Sequence, residues 1–196
     1  MPPVGLDESD DWTESCLVRE SSPVSPGLRK IRAGTPADAG ALAELHLRSA
    51  AEGFRTFFPA EAVPRSQGAL ESDWSSLLSD DPSQRRTVFV AEQDGTIVGV
   101  MVADATRVPV GRLSRAYMEP RLWNGSLAKS LYDAATDRLR ELGCTRAAMW
   151  VMEPNYRARR SLEHLGFTLT GIRQPTCEYA RTTGGGIEDL EYEGPL

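Results

Sequence analysis

The stretch that most constrains this chain runs from Gly111 to Phe167. A strand pattern, Leu113–Met118, stops at Glu119-Pro120; a short Gly-containing loop follows, and a long amphipathic helix opens near Gly125. Leu127, Leu131, Ala135, Leu139 and Leu142 form one apolar stripe along that helix, and Gly143 ends it. A second apolar run, Ala147–Met152, then leads through Asn155 into another helix, which carries Ala158, Leu162 and Leu165 and stops at Gly166. Strand, loop and helix N-terminus in this order turn backbone amides and a helix dipole toward one spot, the usual protein device for holding a phosphate.

The flanking segments complete a mixed α/β pattern. Lys30-Ile31-Arg32 reads as a first strand, and Thr35-Pro36-Ala37-Asp38 supplies a cap, a proline at the first helical position and an acidic third position. The helix that follows carries Leu42, Leu45, Leu47 and Ala50 and fades near Gly53. Phe54, Phe57, Phe58 and Pro59 connect it to a weaker helix around Leu70–Leu78. Thr87–Ala91 and Ile97–Val102 are β-branched runs joined through Asp94-Gly95, a strong hairpin signal. Phe167–Ile172 and Ile187–Tyr192 form two last strands, joined through Gly184-Gly185-Gly186. The order β-α-α-β-β-β-α-β-α-β-β, without an internal repeat, predicts one α/β domain over residues 28–196.

Charge and cysteine usage exclude several function classes. The net charge of −6 is concentrated in residues 1–27, where six carboxylates face Arg19 alone and account for five of the six negative charges. This acidic, Pro- and Ser-containing segment reads as a disordered or loosely attached tail. The remainder is nearly neutral, so no nucleic-acid surface is indicated. No apolar run approaches the roughly 20 residues of a membrane span. No basic-then-apolar leader opens the sequence, which makes a cytoplasmic location the expectation. Cys16, Cys144 and Cys177 fit neither a disulfide framework nor a zinc site, and two histidines do not suggest a metal centre.

Several strings, in order and at matching spacing, resemble the GCN5-related N-acetyltransferases (GNAT superfamily), as a divergent bacterial member. They are Tyr117-Met118-Glu119-Pro120, Leu131–Ala135, Leu139–Gly143, Trp150–Asn155, Ala158-Arg159-Arg160 and Leu165-Gly166-Phe167, with His46–Ser49 in the first helix. The resemblance covers about Leu28 to Tyr192. It implies a central mixed, mostly antiparallel sheet flanked by helices, with two central strands, Leu113–Met118 and Ala147–Met152, splayed apart. The pantetheine arm of acetyl-CoA (or another acyl-CoA) lies between such strands like an added strand. The resemblance implies that Tyr117 and Met118 flank an amide that polarises the thioester carbonyl. It assigns cofactor contacts to Trp123, Asn124, Gly125, Ser126, Leu127, Ala128, Lys129 and Asn155. An acceptor amine then attacks directly. The implied activity is acetylation of a small amine, a metabolite or antibiotic, with dimers common among relatives.

Four family positions are altered. In the phosphate loop, Trp123 stands where a cationic or amide side chain is usual, and Ser126 replaces a glycine that allows close backbone approach. Gly125 and Ala128 stay small, Lys129 offers a charge, and the Ser126 hydroxyl offers a hydrogen bond. Arg112 occupies the strand position of a common base glutamate, and an arginine accepts no proton at neutral pH. Leu162 occupies the position of the tyrosine that protonates the leaving thiolate, and Ser161 sits about 100° round the helix from it. Tyr117 and Ser161 remain the weak catalytic candidates.

Each residue also has a plainer reading. Asn155 serves as a helix N-cap, a cofactor contact, or both. Trp123 anchors an exposed loop or covers the cofactor. Arg112 and Arg115, three apart on a regular strand, point to opposite faces, and Arg112 then meets an internal carboxylate or an acidic substrate. Phe54 and Phe58 wall the acceptor site or pack in the core. Glu178 enters the cleft from the last loop. The alternative to acetyl transfer is a GNAT-fold protein that has abandoned it and uses the cleft for ligand binding or another reaction.

Overall fold

A computed structural model describes residues 28–58, 63–79, 85–123, 125–176, 179–181 and 187–196, with side chains at all of these except 63–64 and 179–181. The acidic segment 1–27, Pro59, Asn124, Cys16, Cys177, Glu178 and the Gly184–Gly186 loop lie outside the described residues. The elements are β1 (Arg29–Ala33), α1 (Ala39–Gly53), β2 (Val63–Pro64), α2 (Gln67–Ser79), β3 (Arg86–Gln93), β4 (Thr96–Asp104) and β5 (Val110–Met118). There follow α3 (Ser126–Glu141), β6 (Arg146–Met152), α4 (Tyr156–His164), β7 (Thr168–Pro175), β8 (Tyr179–Arg181) and β9 (Glu188–Pro195).

Seven strands form one sheet in the order β1-β3-β4-β5-β6-β9-β7, and every pairing is antiparallel except β5 with β6. The mixed, mostly antiparallel sheet expected from the sequence is present. A second ladder, β2 with β8, was not anticipated; runs of two and three residues are too short to show a period.

Alternation sorts the strand side chains into two cores. On one face the α3 stripe of Leu127, Leu131, Ala135 and Leu139 packs on Ala91, Met101, Ala103, Leu113, Met149 and Val151. On the other face α1 and α2 bring Leu42, Leu45, Leu70 and Trp74 onto Val88, Val90, Val100, Val102 and Tyr117. Each fully buried leucine contributes roughly 1.5–3 kcal/mol. Gly111 permits α3 to approach the sheet closely, since a Cβ there would lie 2.7 Å from Leu139 Cδ2.

The first turn before α1 is fixed by charge. Asp38 accepts the Thr35 N–H at 2.7 Å and is gripped by both Arg32 guanidinium nitrogens at 2.7 and 2.9 Å. Arg32 also bonds Glu92 at 2.8 Å. The Arg32 bond, opposed in part by burial, holds the Asp38 carboxyl down at about 2.

Two irregularities in β5 shape everything that follows. The β5–β6 ladder runs only from Val110↔Arg146 to Arg112↔Ala148. Beyond that point the strands part, although β5 stays paired with β4 and β6 with β9 along their outer edges. Second, Val102 pairs with Ser114 and Val100 with Tyr117, so β5 carries one extra residue, a bulge with Arg115 at φ +50°. A non-glycine residue at positive φ is held there only by its surroundings.

The bulge corrects the expectation that Arg112 and Arg115 face opposite ways. Gly111 and Leu113 face α3, so Arg112 lies on the α1/α2 face. The extra residue turns Arg115 over to that same face, where its guanidinium stacks 5.0 Å above the Trp74 ring.

Candidate functional site

Where β5 and β6 part, their inner edges have no strand partner and form the walls of a split. Two cavities open from it and share Phe54, Ala116, Tyr117, Asn155 and Ala158 in their walls. One, of about 380 Å3, lies on the α1/α2 face and includes Arg112, Arg115 and Trp150. The other, of about 210 Å3, reaches toward α3 and α4 and is walled by Met118, Trp123, Ala128, Arg157 and Ser161.

Trp123 stands at the open end of the split. The Glu119 N–H bonds to Val98 O on β4 at 2.8 Å. Because the intervening peptide is trans, the Met118 carbonyl points the other way, into the split. The Trp123 indole Nε1–H donates to that carbonyl at 2.8 Å. Its ring lies under the Arg157 guanidinium of α4, at 3.4 Å. Trp123 is thus neither a simple surface anchor nor a free platform: it ties the end of β5 to the start of α4 across the split.

At the start of α3, Gly125 is the N-cap and adopts an extended conformation. The first-turn amides of Ser126 and Leu127 have no intrahelical acceptor, as at any helix N-terminus. The Lys129 ammonium pairs with Asp133 one turn on, at 2.6 Å. Another cation reaches the loop from β1: Arg29 donates to Ser126 Oγ at 3.1 Å. Sequence inspection missed Arg29, since 97 residues separate the pair and no local pattern links them.

Tyr117 is buried and stacks on His46, with ring centroids 3.9 Å apart. Leu162 is buried in the α3-side core. Ser161, not Leu162, lines the cleft, along with Asn155 and Ala158 on α4. Its Oγ donates to Arg157 O at 3.0 Å. Sequence reasoning ranked Ser161 poorly by its angle from Leu162, whereas α4 packs with the leucine in the core and the serine at the wall. Asn155 caps α4, accepting the Ala158 N–H at 3.1 Å, and lines both cavities as well.

Phe54 also borders both cavities while packing on the α1/α2-side core, and Phe58 is half-buried beside it, with ring centroids 6.4 Å apart. Arg112 is exposed at the closed end of the split and, among the described residues, makes no ion pair. The internal carboxylate expected for it is absent from that set. Trp150, which the sequence offered only as part of the Trp150–Asn155 string and without a site role, lines the larger cavity, and its buried indole N–H has no hydrogen-bond partner among the described residues. Cys144 is buried in the core, and burial pushes its thiol up. Among the described residues no three His, Cys, Asp or Glu side chains gather to hold a metal, and no helix is long and apolar enough to cross a membrane.

The same architecture recurs in solved structures. The PaiA N-acetyltransferase of Thermoplasma acidophilum, in complex with coenzyme A, superposes with a TM-score of 0.67 at 16% identity, over 86% of this chain and 99% of that one. The ribosomal-protein-S18-alanine N-acetyltransferase of Escherichia coli gives 0.63 at 19% identity, over 86% and 94%. YncA, a putative acetyltransferase of Salmonella typhimurium with acetyl-CoA, gives 0.60 at 18%, over 86% and 94%. At these identities the likeness is one of fold. A sequence search of curated proteins returned no match. The sequence description of the Acetyltransferase (GNAT) family matches residues 47–167, more than half of the chain and all of the strands and helices that build the split, so the chain belongs to the GNAT acetyltransferase family.

Proposed function

We propose that this protein is an acyl-CoA-dependent N-acetyltransferase that acetylates a small amine. The observation that carries the proposal is the β5–β6 ladder, which stops at Arg112↔Ala148 and leaves two facing strand edges without partners. An extended, amide-bearing arm satisfies such edges as an added strand does. When bound, acetyl-CoA supplies a thioester whose carbonyl is open to attack by an amine.

The chain's own groups divide the work. Backbone groups of residues 116–118 and 149–152 line the split and receive the arm. The Ser126 and Leu127 amides, the Ser126 hydroxyl and Arg29 stand where the helix dipole favours phosphate. The Arg115 bulge removes one residue of β5 from the ladder beside the acceptor cavity, which frees a backbone amide for an oxyanion. The Cys144 thiol is buried in the α3-side core and lines neither cavity, so it is not placed to take up the acyl group.

Proton handling is sparse. Neither Arg112 nor Leu162 supplies a base or an acid, which favours an acceptor that arrives as the free amine. Ser161 is the α4 hydroxyl nearest the cleft and offers a hydrogen bond to a departing thiolate. General acid–base catalysis typically supplies about 10²–10⁴-fold, while positioning alone can supply more. A reduced site therefore still supports transfer.

The buried Leu162 and the arginine at position 112 also favour a second reading, a divergent member that binds CoA or another ligand without acetyl transfer. Incubation with acetyl-CoA and a panel of amines, following free thiol, separates the two. Amine-dependent thiol release supports transfer. Calorimetric CoA binding with no release supports the second reading, and no CoA binding at all defeats the acyl-transfer proposal.

A further inference from the structure

The split accounts for the acyl donor and leaves the acceptor open. We infer that the acceptor is an amine that also carries an anionic oxygen group, of which an amino-acid carboxylate is the simplest case, and that Arg112 holds that group. The inference rests on the acyl-transfer reading and names its substrate class.

Charge accounting around the larger cavity supports it. Arg65, Arg112 and Arg115 line the wall against Asp189. Asp73 of α2 is taken up between Arg65, at 2.5 Å, and Arg115, at 3.8 Å. Three carboxylates near Arg112, one of them its cross-strand partner Asp104, have other partners. Asp104 of β4 bonds Arg86 at 3.2 Å and Thr106 at 2.6 Å; Glu191 and Glu193 of β9 bond Thr170 and Arg146, both at 2.9 Å. Among the described residues Arg112 makes no ion pair, and its guanidinium is forked for two carboxylate oxygens.

A second feature on the same face agrees. Ala148, paired with Arg112, and Trp150, two residues on, lie on one side of β6, opposite Met149 and Val151 of the α3-side core. The Trp150 indole N–H is buried without an acceptor among the described residues, an arrangement that costs free energy unless something accepts from it. An anionic oxygen in this cavity meets the Arg112 guanidinium beside the Trp150 ring. The bulge at Arg115 is three residues from Arg112, about 10 Å along a strand. That spacing suits an amine and an anionic group within one small molecule, allowing for the length of an arginine side chain.

The test uses the full-length protein and matched acceptors: an amino acid, its amide, its decarboxylated amine and a diamine, with thiol release as readout. Wild type is expected to prefer the amino acid. Arg112→Gln should collapse the KM ratio between the amino acid and its decarboxylated amine by about tenfold or more, the worth of a charge-assisted hydrogen bond. Arg112→Lys should restore part of it, and Arg112→Glu should turn the preference toward the diamine. Preference of wild type for the uncharged amine or the diamine overturns the inference, as does an unchanged ratio in Arg112→Gln. CoA titration by calorimetry is the control. If CoA binds and no amine is acetylated, the acyl-transfer reading fails by itself. The inference is then decided by amino-acid titration into CoA-loaded protein, which must show binding that Arg112→Gln abolishes; no such binding refutes it.

Discussion

Replacing Trp123 with phenylalanine probes the split with a single proton. The indole N–H is bonded to the Met118 carbonyl at 2.8 Å, and the ring lies under Arg157 at 3.4 Å. Phenylalanine keeps an aromatic ring in that place and deletes the donor. A hydrogen bond of this kind contributes a net of about 0.5–1.5 kcal/mol. Trp123 is only half-buried, so water partly restores the carbonyl, and a loss of about 1 kcal/mol is the working value. Urea unfolding of the free protein should register that loss. Cofactor binding should move the other way. An arm laid along β5 must take the Met118 carbonyl from the indole, and the variant removes that competitor. The CoA dissociation constant should fall about fivefold, the equivalent of 1 kcal/mol. Trp123→Ala also forfeits the stacking on Arg157, so it should destabilise more and blur the effect. If Trp123→Phe destabilises the free protein while CoA affinity is unchanged or weaker, the arm does not use the Met118 carbonyl and this account of the split is wrong.

Three further substitutions test other parts of the structure. Ser161→Ala should lower the thiol-release rate about fivefold, the worth of one hydroxyl hydrogen bond, without changing the CoA dissociation constant; an unchanged rate removes Ser161 from the mechanism. Asp38, held at about 2 against 3.8 by Arg32, stabilises the fold above pH 4 and loses that contribution as pH falls toward 2. The shift is equivalent to about 2 kcal/mol, and Asp38→Asn should be less stable at neutral pH and flatter between pH 4 and 2 in acid unfolding. Gly111→Ala should cost about 1–3 kcal/mol in thermal or urea unfolding by pressing a methyl into Leu139; a neutral result would mean that α3 can shift away from the sheet.

What could be read from the sequence was local. The α3 stripe, the Asp94-Gly95 hairpin and the Asn155 cap depend on residues a few positions apart, and each appears where the spacing put it. The altered chemistry at Arg112 and Leu162 was legible for the same reason. The arrangement of the split was less so. The point at which β5 leaves β6 depends on pairings between distant strands, and the resemblance supplied the splay without its register. The bulge at Arg115 carries no glycine to announce it, so a regular strand put that side chain on the wrong face. Lys129 pairs with Asp133 one turn along α3, while the cation bonded to Ser126, Arg29, comes from the far end of the chain. Side-chain partners such as Trp123 with the Met118 carbonyl depend on which way one peptide points, and residue types do not report that.

Hydrogen exchange followed by mass spectrometry, with and without CoA, tests the central claim most directly. Amides of residues 114–118 on β5 and 149–152 on β6 should gain protection, together with Ser126–Ala128 at the start of α3, while the outer strands β1 and β7 stay unchanged. CoA binding that leaves both walls of the split unprotected, or protects a different surface, would contradict it.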